Sequence, residues 1–392
     1  MVLLARARSL PRPVWALFAG TFINRFGSFV IPFLVLYLTR TGYSIADAGF
    51  AASAYGVGSA IASGVGGVLA DHLGRRLSIA ASMFGSAATM LLLSQARGLA
   101  LIIPLTLLAG ATSEMYRPAA SALIADLIPA GERVTGFALY RLMINLGVAF
   151  GVALAGFLAD HSFLALFVGD ALTSVAFGFV ALALLPRTEP AEARPPADQP
   201  PLAALRVIIA DRPFVLFMLA SSLAALVYFQ SLSTLGLQVR ADGLSNSAYG
   251  LLLSINGVFV LVCELPLTTW TQRQPVRVII AGGYFCVGLG FALTGVATVF
   301  PLLALTVCVW TLGEMLSSPV ASAYVADLAP AGMRGQYQGV WGVTASLALI
   351  LAPALGARVF AWNSHALWLI CGVLGLLAAA IMYGIGRHRV GG

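Results

Sequence analysis

Residues 118–133 read PAASALIADLIPAGER and residues 319–334 read PVASAYVADLAPAGMR, an offset of 201 with 11 of 16 positions identical. Chance does not produce such a pair, so the two halves of the chain are related by internal duplication. Each copy closes an apolar run and enters a turn built from Pro, Gly and Arg. Apolar runs of this kind recur from end to end. The chain has 392 residues, of which 60% are hydrophobic and 9% charged, with a mean hydropathy of +0.94. Soluble domains carry roughly 25% charged residues. About 20 apolar residues in a helix cross a bilayer core of about 30 Å, and no soluble core could absorb so many such runs. The short alternating strands of a membrane β-barrel are absent from the sequence. The expected fold class is an all-α polytopic membrane protein.

Divided at charges, Pro and Gly, the sequence predicts twelve spans. They fall near 14–38, 46–70, 76–96, 99–125, 134–159 and 163–185, then 213–238, 247–270, 276–297, 300–326, 335–360 and 365–386. This defines an N-terminal tail (1–13), a six-helix bundle (14–185), a linker (186–212), a second six-helix bundle (213–386) and a C-terminal tail (387–392). The linker is rich in Pro and charge, as flexible connections are. Basic flanks remain cytoplasmic. All 22 basic residues are Arg, and in the tails, loops and span ends 15 lie on one side, against Arg40, Arg97, Arg240 and Arg358 on the other. Both termini are therefore expected in the cytoplasm, the N-terminal one as an uncleaved tail.

Two parallel six-helix repeats about an axis along the membrane normal are a transporter design, with the substrate site between the halves near the midplane. Residues 66–76, GGVLADHLGRR, gather Asp71, His72, Arg75 and Arg76 into the loop between spans 2 and 3. Positive topology alone needs no Asp71. Gly67 and Gly74 suit a close helix approach and a tight turn, and Asp71 offers an arginine a charge-assisted partner. Such a cluster can latch helix ends in one conformation and release them in another.

Here the chain resembles the major facilitator superfamily over essentially its whole length. The family signature G-x-L-[AS]-D-x-x-G-R-[RK] is matched by Gly67, Leu69, Ala70, Asp71, Gly74, Arg75 and Arg76. The resemblance implies two pseudo-symmetric six-helix bundles, a monomer, and a place for Asp126 in the charge network of the loop. Span 10, WTLGEMLSSPVASAYVADL, is similar to the drug:proton antiporter branch of lactococcal multidrug transporter type, which puts Glu314 on that branch's membrane-embedded carboxylate. Span 1, FINRFGSFVIPFLVLYL, also resembles first helices of that branch. Two positions depart from the branch: Thr106 stands where an Arg is expected four residues before Gly110, and Val152 replaces the Pro that follows Gly147 and Gly151.

Seven charged residues fall well inside the predicted spans, away from their ends: Arg25, Glu114, Arg117, Arg141, Asp170, Glu264 and Glu314. At a lipid-facing midplane each would cost about 2.5–3.5 kcal/mol, so they should face a cavity or pair internally. Glu314 is the first choice for proton coupling, since its own span holds no basic residue and a carboxylate in an apolar cavity can exchange protons near neutrality. Glu264 also lacks a basic neighbour within its span. Glu114 and Arg117 share a helix face at i, i+3, as do Arg141 and Asn145 at i, i+4, so Glu114 is expected to be neutralised by Arg117 or Arg141. Arg25 with Asn24 sits mid-span in helix 1, where the resemblance implies a cavity-lining position. Asp170 suits a cap or a packing role as well as proton handling. Tyr37, Tyr55, Tyr140, Tyr228, Phe229, Trp310 and Trp341 could stack on cations or drug-like molecules or simply pack.

The expected function is secondary active transport by alternating access, namely proton-coupled efflux of amphipathic or cationic compounds across a bacterial inner membrane. The alternative keeps the fold and makes it a proton symporter, or an exporter of a metabolite, siderophore or lipid, with Arg25, Arg117 and Arg141 binding an anion. A non-transporting sensor or scaffold is the remote reading. No enzymatic motif stands out: there is no GxxxxGK[ST] phosphate loop, and His72, His161, His365 and His388 lack metal-ligand spacing. Cys263, Cys286, Cys308 and Cys371 sit in apolar runs and suggest no disulfide framework. No cofactor or nucleic-acid partner is expected, only protons, lipids and a small amphipathic substrate.

Overall fold

The computed structural model describes residues 10–129, 132–187, 207–271, 273–330 and 333–385, without the side chains at positions 63, 64, 71, 134 and 265. The first nine residues, most of the expected linker (188–206) and the tail 387–392 lie outside the described residues.

The described residues form α1 (Arg12–Phe26), α2 (Val30–Arg40), α3 (Ile45–Leu73), α4 (Arg75–Gln95), α5 (Leu99–Glu114), α6 (Tyr116–Leu127), α7 (Arg133–His161) and α8 (Phe163–Leu184). The second series is α9 (Arg212–Tyr228), a 3₁₀ turn (Phe229–Leu232), α10 (Thr234–Ala241), α11 (Asn246–Thr271), α12 (Val276–Thr294), α13 (Phe300–Leu328), α14 (Arg334–Trp362) and α15 (Ser364–Gly384). Among them are 11 helical segments long and apolar enough to cross a membrane. Helix α3 is 29 residues long and rich in Ala, Gly and Ser. Many large apolar side chains point outward, Leu172, Val262 and Leu369 each more than 60% exposed. In water such a surface would drive aggregation; in hydrocarbon it is the natural exterior.

Three spans are broken, and two of the breaks have a cause in the sequence. Pro32 in the first turn of α2 and Pro118 in the first turn of α6 have no N–H to donate to the carbonyl four residues earlier, and their rings crowd it. The helices part just before them, at residues 27–29 and at Met115. Pro319 occupies the equivalent place in α13, yet that helix runs through unbroken. The third break, at the 3₁₀ turn, contains no Pro. Its brace is Gln230, 5% exposed, whose Nε2 donates to Ala352 O (3.2 Å) and whose Oε1 accepts from Thr234 Oγ1 (2.8 Å).

The chain divides into two compact units, residues 1–194 with 245–258 and residues 195–244 with 259–392. The start of α11 thus groups with the first unit, although by sequence it belongs to the second repeat. Asp160 at the end of α7 holds it there, accepting from the backbone N–H groups of Asn246 (2.8 Å) and Ser247 (2.9 Å). Just below, a Cβ on Gly250 would lie 2.4 Å from Val152 O and 3.0 Å from Gly156 Cα. Only glycine permits that crossing. In the second unit α12 crosses α13 at Gly283 and Gly313 in the same way, a Cβ on Gly313 lying 2.5 Å from Gly283 O. That contact fixes the rotation of α13 one residue before Glu314.

Candidate functional site

In each unit a carboxylate sits on the fourth long span of its half, next to a broken helix. In the first unit Glu114 is the last residue of α5, and Arg25 reaches it from α1 immediately before the break at residues 27–29. Arg25 Nη1 lies 3.1 Å from Glu114 Oε1 and Nη2 3.4 Å from Oε2, a two-pronged fork. Arg117 Nη1 adds a contact to Oε2 at 3.0 Å, and Tyr55 donates its hydroxyl to Oε1 at 3.4 Å. Arg25 Nε also donates to the Tyr116 hydroxyl (3.1 Å), with the guanidinium 5.6 Å from that ring's centre. Glu114 and Arg25 side chains are 10% and 14% exposed; Arg117 is 58% exposed. Arg117 pairs with Glu114 as its i, i+3 spacing suggested, and a guanidinium the sequence did not offer as its partner, Arg25, joins it from 89 residues away. Arg141 is exposed on α7 and Asn145 half-buried one turn later.

Around the break in span 1, Asp170 (4% exposed) directs its carboxylate at the N-terminus of α2 and accepts from Val30 N at 3.5 Å. Asn24 donates to Ser174 Oγ (3.3 Å). A Cβ on Gly27 would lie only 1.7 Å from Thr173 Oγ1, so the break rests directly on α8. Asp170 thus acts here as a helix cap, stabilised by the positive end of the half-helix.

In the second unit one partner of the carboxylate is a hydroxyl. Glu314 on α13 accepts from the Tyr228 hydroxyl at 3.2 Å, and Tyr228 is the last residue of α9 before the 3₁₀ turn. Glu314 lines a cavity of about 290 Å3 bounded by Ser221, Tyr228, Tyr284, Ser317 and Trp341 among others. Among the described residues its lining contains no basic side chain. Tyr228 stands edge-on to Trp310, with ring centres 5.7 Å apart. Ser221 and Tyr284 share a hydrogen bond of 2.7 Å, and Trp341 Nε1 points at Ser221 Oγ from 3.4 Å. The result is an apolar, aromatic pocket with one acid, suited to a cation by charge and by ring faces. Glu264, half-buried on α11, is not part of this lining.

In the loop between α3 and α4, Gly74 adopts φ +79° and ψ 157°, a conformation open to glycine and closed to other residues. Arg75 Nε sits 3.4 Å from Asp126 Oδ2, and Arg75 Nη1 donates to Ala70 O (3.3 Å). The side chain of Asp71 lies outside the described residues; Arg76 is half-buried. The expected close approach at Gly67 is corrected by one residue. A Cβ at Gly67 would meet nothing within 4 Å, whereas one at Gly66 would lie 2.7 Å from Met115 O.

The sequence alone did not mark Tyr116, Ser221, Tyr284 or Gln230, and gave Tyr228 no special weight. A signal for Tyr228 existed: the 201-residue offset places it opposite Gly27, at the break of the first span.

Comparison with known proteins follows the same lines. The chain is 27% identical to an uncharacterized MFS-type transporter, YqjV, of Bacillus subtilis (strain 168), covering 87% of this chain and 85% of that one. It is 25% identical to a Na(+), Li(+), K(+)/H(+) antiporter of Planococcus maritimus, covering 87% of each. It is likewise 25% identical to the multidrug resistance protein MdtH of Cronobacter sakazakii (strain ATCC BAA-894), over 79% of this chain and 78% of that one. The fold matches the crystal structure of the nucleoside transporter NupG with a TM-score of 0.81 at 16% identity, covering 95% of this chain and 100% of that one. The sequence family described as Major Facilitator Superfamily matches residues 17–245 and 232–390. With its two duplicated halves, each carrying a carboxylate beside a broken helix, the chain belongs to the major facilitator superfamily of membrane transporters.

Proposed function

We propose that this protein is a proton-coupled exporter of amphipathic or cationic compounds, with twelve spans in a bacterial inner membrane and both termini in the cytoplasm. The contrast between the two carboxylates carries the reading. Glu114 is clamped by two guanidiniums, which hold their charge at any physiological pH, so adding a proton to it would leave those charges uncompensated. Glu314 accepts from the Tyr228 hydroxyl and faces a cavity whose lining, among the described residues, holds no basic side chain, which leaves it open to proton exchange. Protonation favours one conformation; a bound cation or the bare carboxylate favours the other. Each proton moved down the membrane potential supplies about 2.3 kcal/mol per 100 mV.

The multidrug and antiporter names of two relatives support export over uptake. The Arg75–Asp126 pair takes the part of a releasable latch at the loop between spans 2 and 3, the role for which Asp71, Arg76 and Gly74 were singled out. Glu314→Gln, reconstituted in proteoliposomes, keeps equilibrium binding of cationic dyes and loses efflux driven by a pH gradient. Efflux at the wild-type rate in that variant would remove Glu314 from the mechanism.

A further inference from the structure

Two guanidiniums, Arg25 and Arg117, contact the single carboxylate of Glu114, so this cluster carries one positive charge in excess when all three are ionised. Glu114 cannot take on more of it. Its two oxygens already receive four donors, from Arg25 Nη1, Arg25 Nη2, Arg117 Nη1 and the Tyr55 hydroxyl, about as many as a carboxylate accepts. Asp170 is directed elsewhere, at the first N–H of α2. Arg25 is itself committed on all three nitrogens, two to Glu114 and Nε to Tyr116.

Arg117 differs. Its Nη1 contacts Glu114, yet the side chain is 58% exposed, and a guanidinium carries five donors in a planar fork. A guanidinium facing hydrocarbon at mid-span is strongly disfavoured, so its exposed edge faces water. An arginine held in place by a saturated carboxylate and presenting its other edge to water is the arrangement that binds planar oxyanions and halides.

We propose that Arg117 anchors an anion site in the first unit, taking a small monovalent anion, either free in solution or borne as a carboxylate on a transported molecule. The site is independent of the role of Glu314. It assigns the two units opposite preferences: the first takes negative groups, the second positive ones.

The test uses the purified full-length protein in detergent and a low-salt zwitterionic buffer, titrated separately with sodium chloride and with sodium benzoate while thermal unfolding is followed, the Arg117→Gln variant in the same salts being the control for ionic strength. A ligand that binds only the folded state raises the midpoint in a saturable way. The expected result is a saturable rise of a few degrees in the wild type and in Glu314→Gln, absent in Arg117→Gln and weakened in Arg117→Lys. A response to chloride identifies a free inorganic anion; a response to benzoate alone identifies a substrate-borne carboxylate. A wild type indifferent to both anions overturns the proposal, as does an Arg117→Gln that responds like the wild type. Should Arg117→Gln not fold, the wild-type titrations and the Arg117→Lys comparison still decide. Loss of coupled efflux in Glu314→Gln with its anion response intact would separate this site from the proton-coupling reading.

Discussion

Glu114→Gln and Glu314→Gln replace the same atoms in similar spans, yet the two neighbourhoods assign them very different costs. Removing one partner of a buried ion pair costs about 3–5 kcal/mol, because the other charge is stranded. Arg25 (14% exposed) and Glu114 (10% exposed) are buried enough for that range to apply. Arg117, at 58% exposed, resembles a surface partner and adds at most about 1 kcal/mol. A glutamine oxygen can still accept one hydrogen bond from Arg25, returning about 1 kcal/mol. The expected loss for Glu114→Gln is about 2–5 kcal/mol, some 30- to 5000-fold in the folding equilibrium. At Glu314 the amide oxygen can accept the same Tyr228 hydroxyl, and the cavity lining holds no basic side chain among the described residues, so the expected loss stays below about 1 kcal/mol. Denaturation of the purified variants by SDS in mixed micelles measures both. The double variant Arg25→Gln/Glu114→Gln should recover part of the loss, since it removes the stranded charge as well. Equal losses in the two single variants, or a neutral Glu114→Gln, would refute the distinction on which the assignment of the proton-carrying acid rests.

Three further outcomes follow from the geometry. Trp341→Ala removes an aromatic wall of the Glu314 cavity and should weaken binding of aromatic cations about 2- to 30-fold, read by equilibrium dye binding with neutral ligands as the control. Gly74→Ala forces a side chain into φ +79° and ψ 157°, which costs about 1–3 kcal/mol; the midpoint of thermal unfolding should fall accordingly. Gly250→Val places a Cβ 2.4 Å from Val152 O. The resulting overpacking costs about 1–3 kcal/mol, seen as a lower unfolding midpoint, whereas Gly67→Ala, which meets open space, should leave stability unchanged.

The duplication and the helical class could be read directly from the chain, because each rests on local or repeated patterns. What could not be read was pairing across long sequence separations. Glu114 has a basic neighbour at i+3, so the sequence pointed to Arg117; Arg25 is brought in only when α1 packs across the bundle. The Gly67 expectation failed by one residue, and one residue on a helix is a rotation of about 100°, enough to turn the small face from Met115 to open space. Span 1 was expected to be continuous from 14 to 38, yet Pro32 breaks it. The same residue type at 319 does not break α13, so proline alone was an ambiguous sign. The 3₁₀ turn at Phe229–Leu232 had no proline at all, and its stabiliser is a side-chain amide that reaches a different helix.

The two inner breaks in spans 1 and 7 are secured by chemically unlike braces, a carboxylate (Asp170) in one and an amide (Gln230) in the other. An amide grips its partners equally well in acid and in alkali. A carboxylate grips a backbone N–H through its negative charge, and that grip slackens once a proton neutralises it. Acidification would therefore loosen the elbow of the first helix while the elbow of the seventh stayed stiff, giving the two halves of a duplicated machine separate responses to one stimulus.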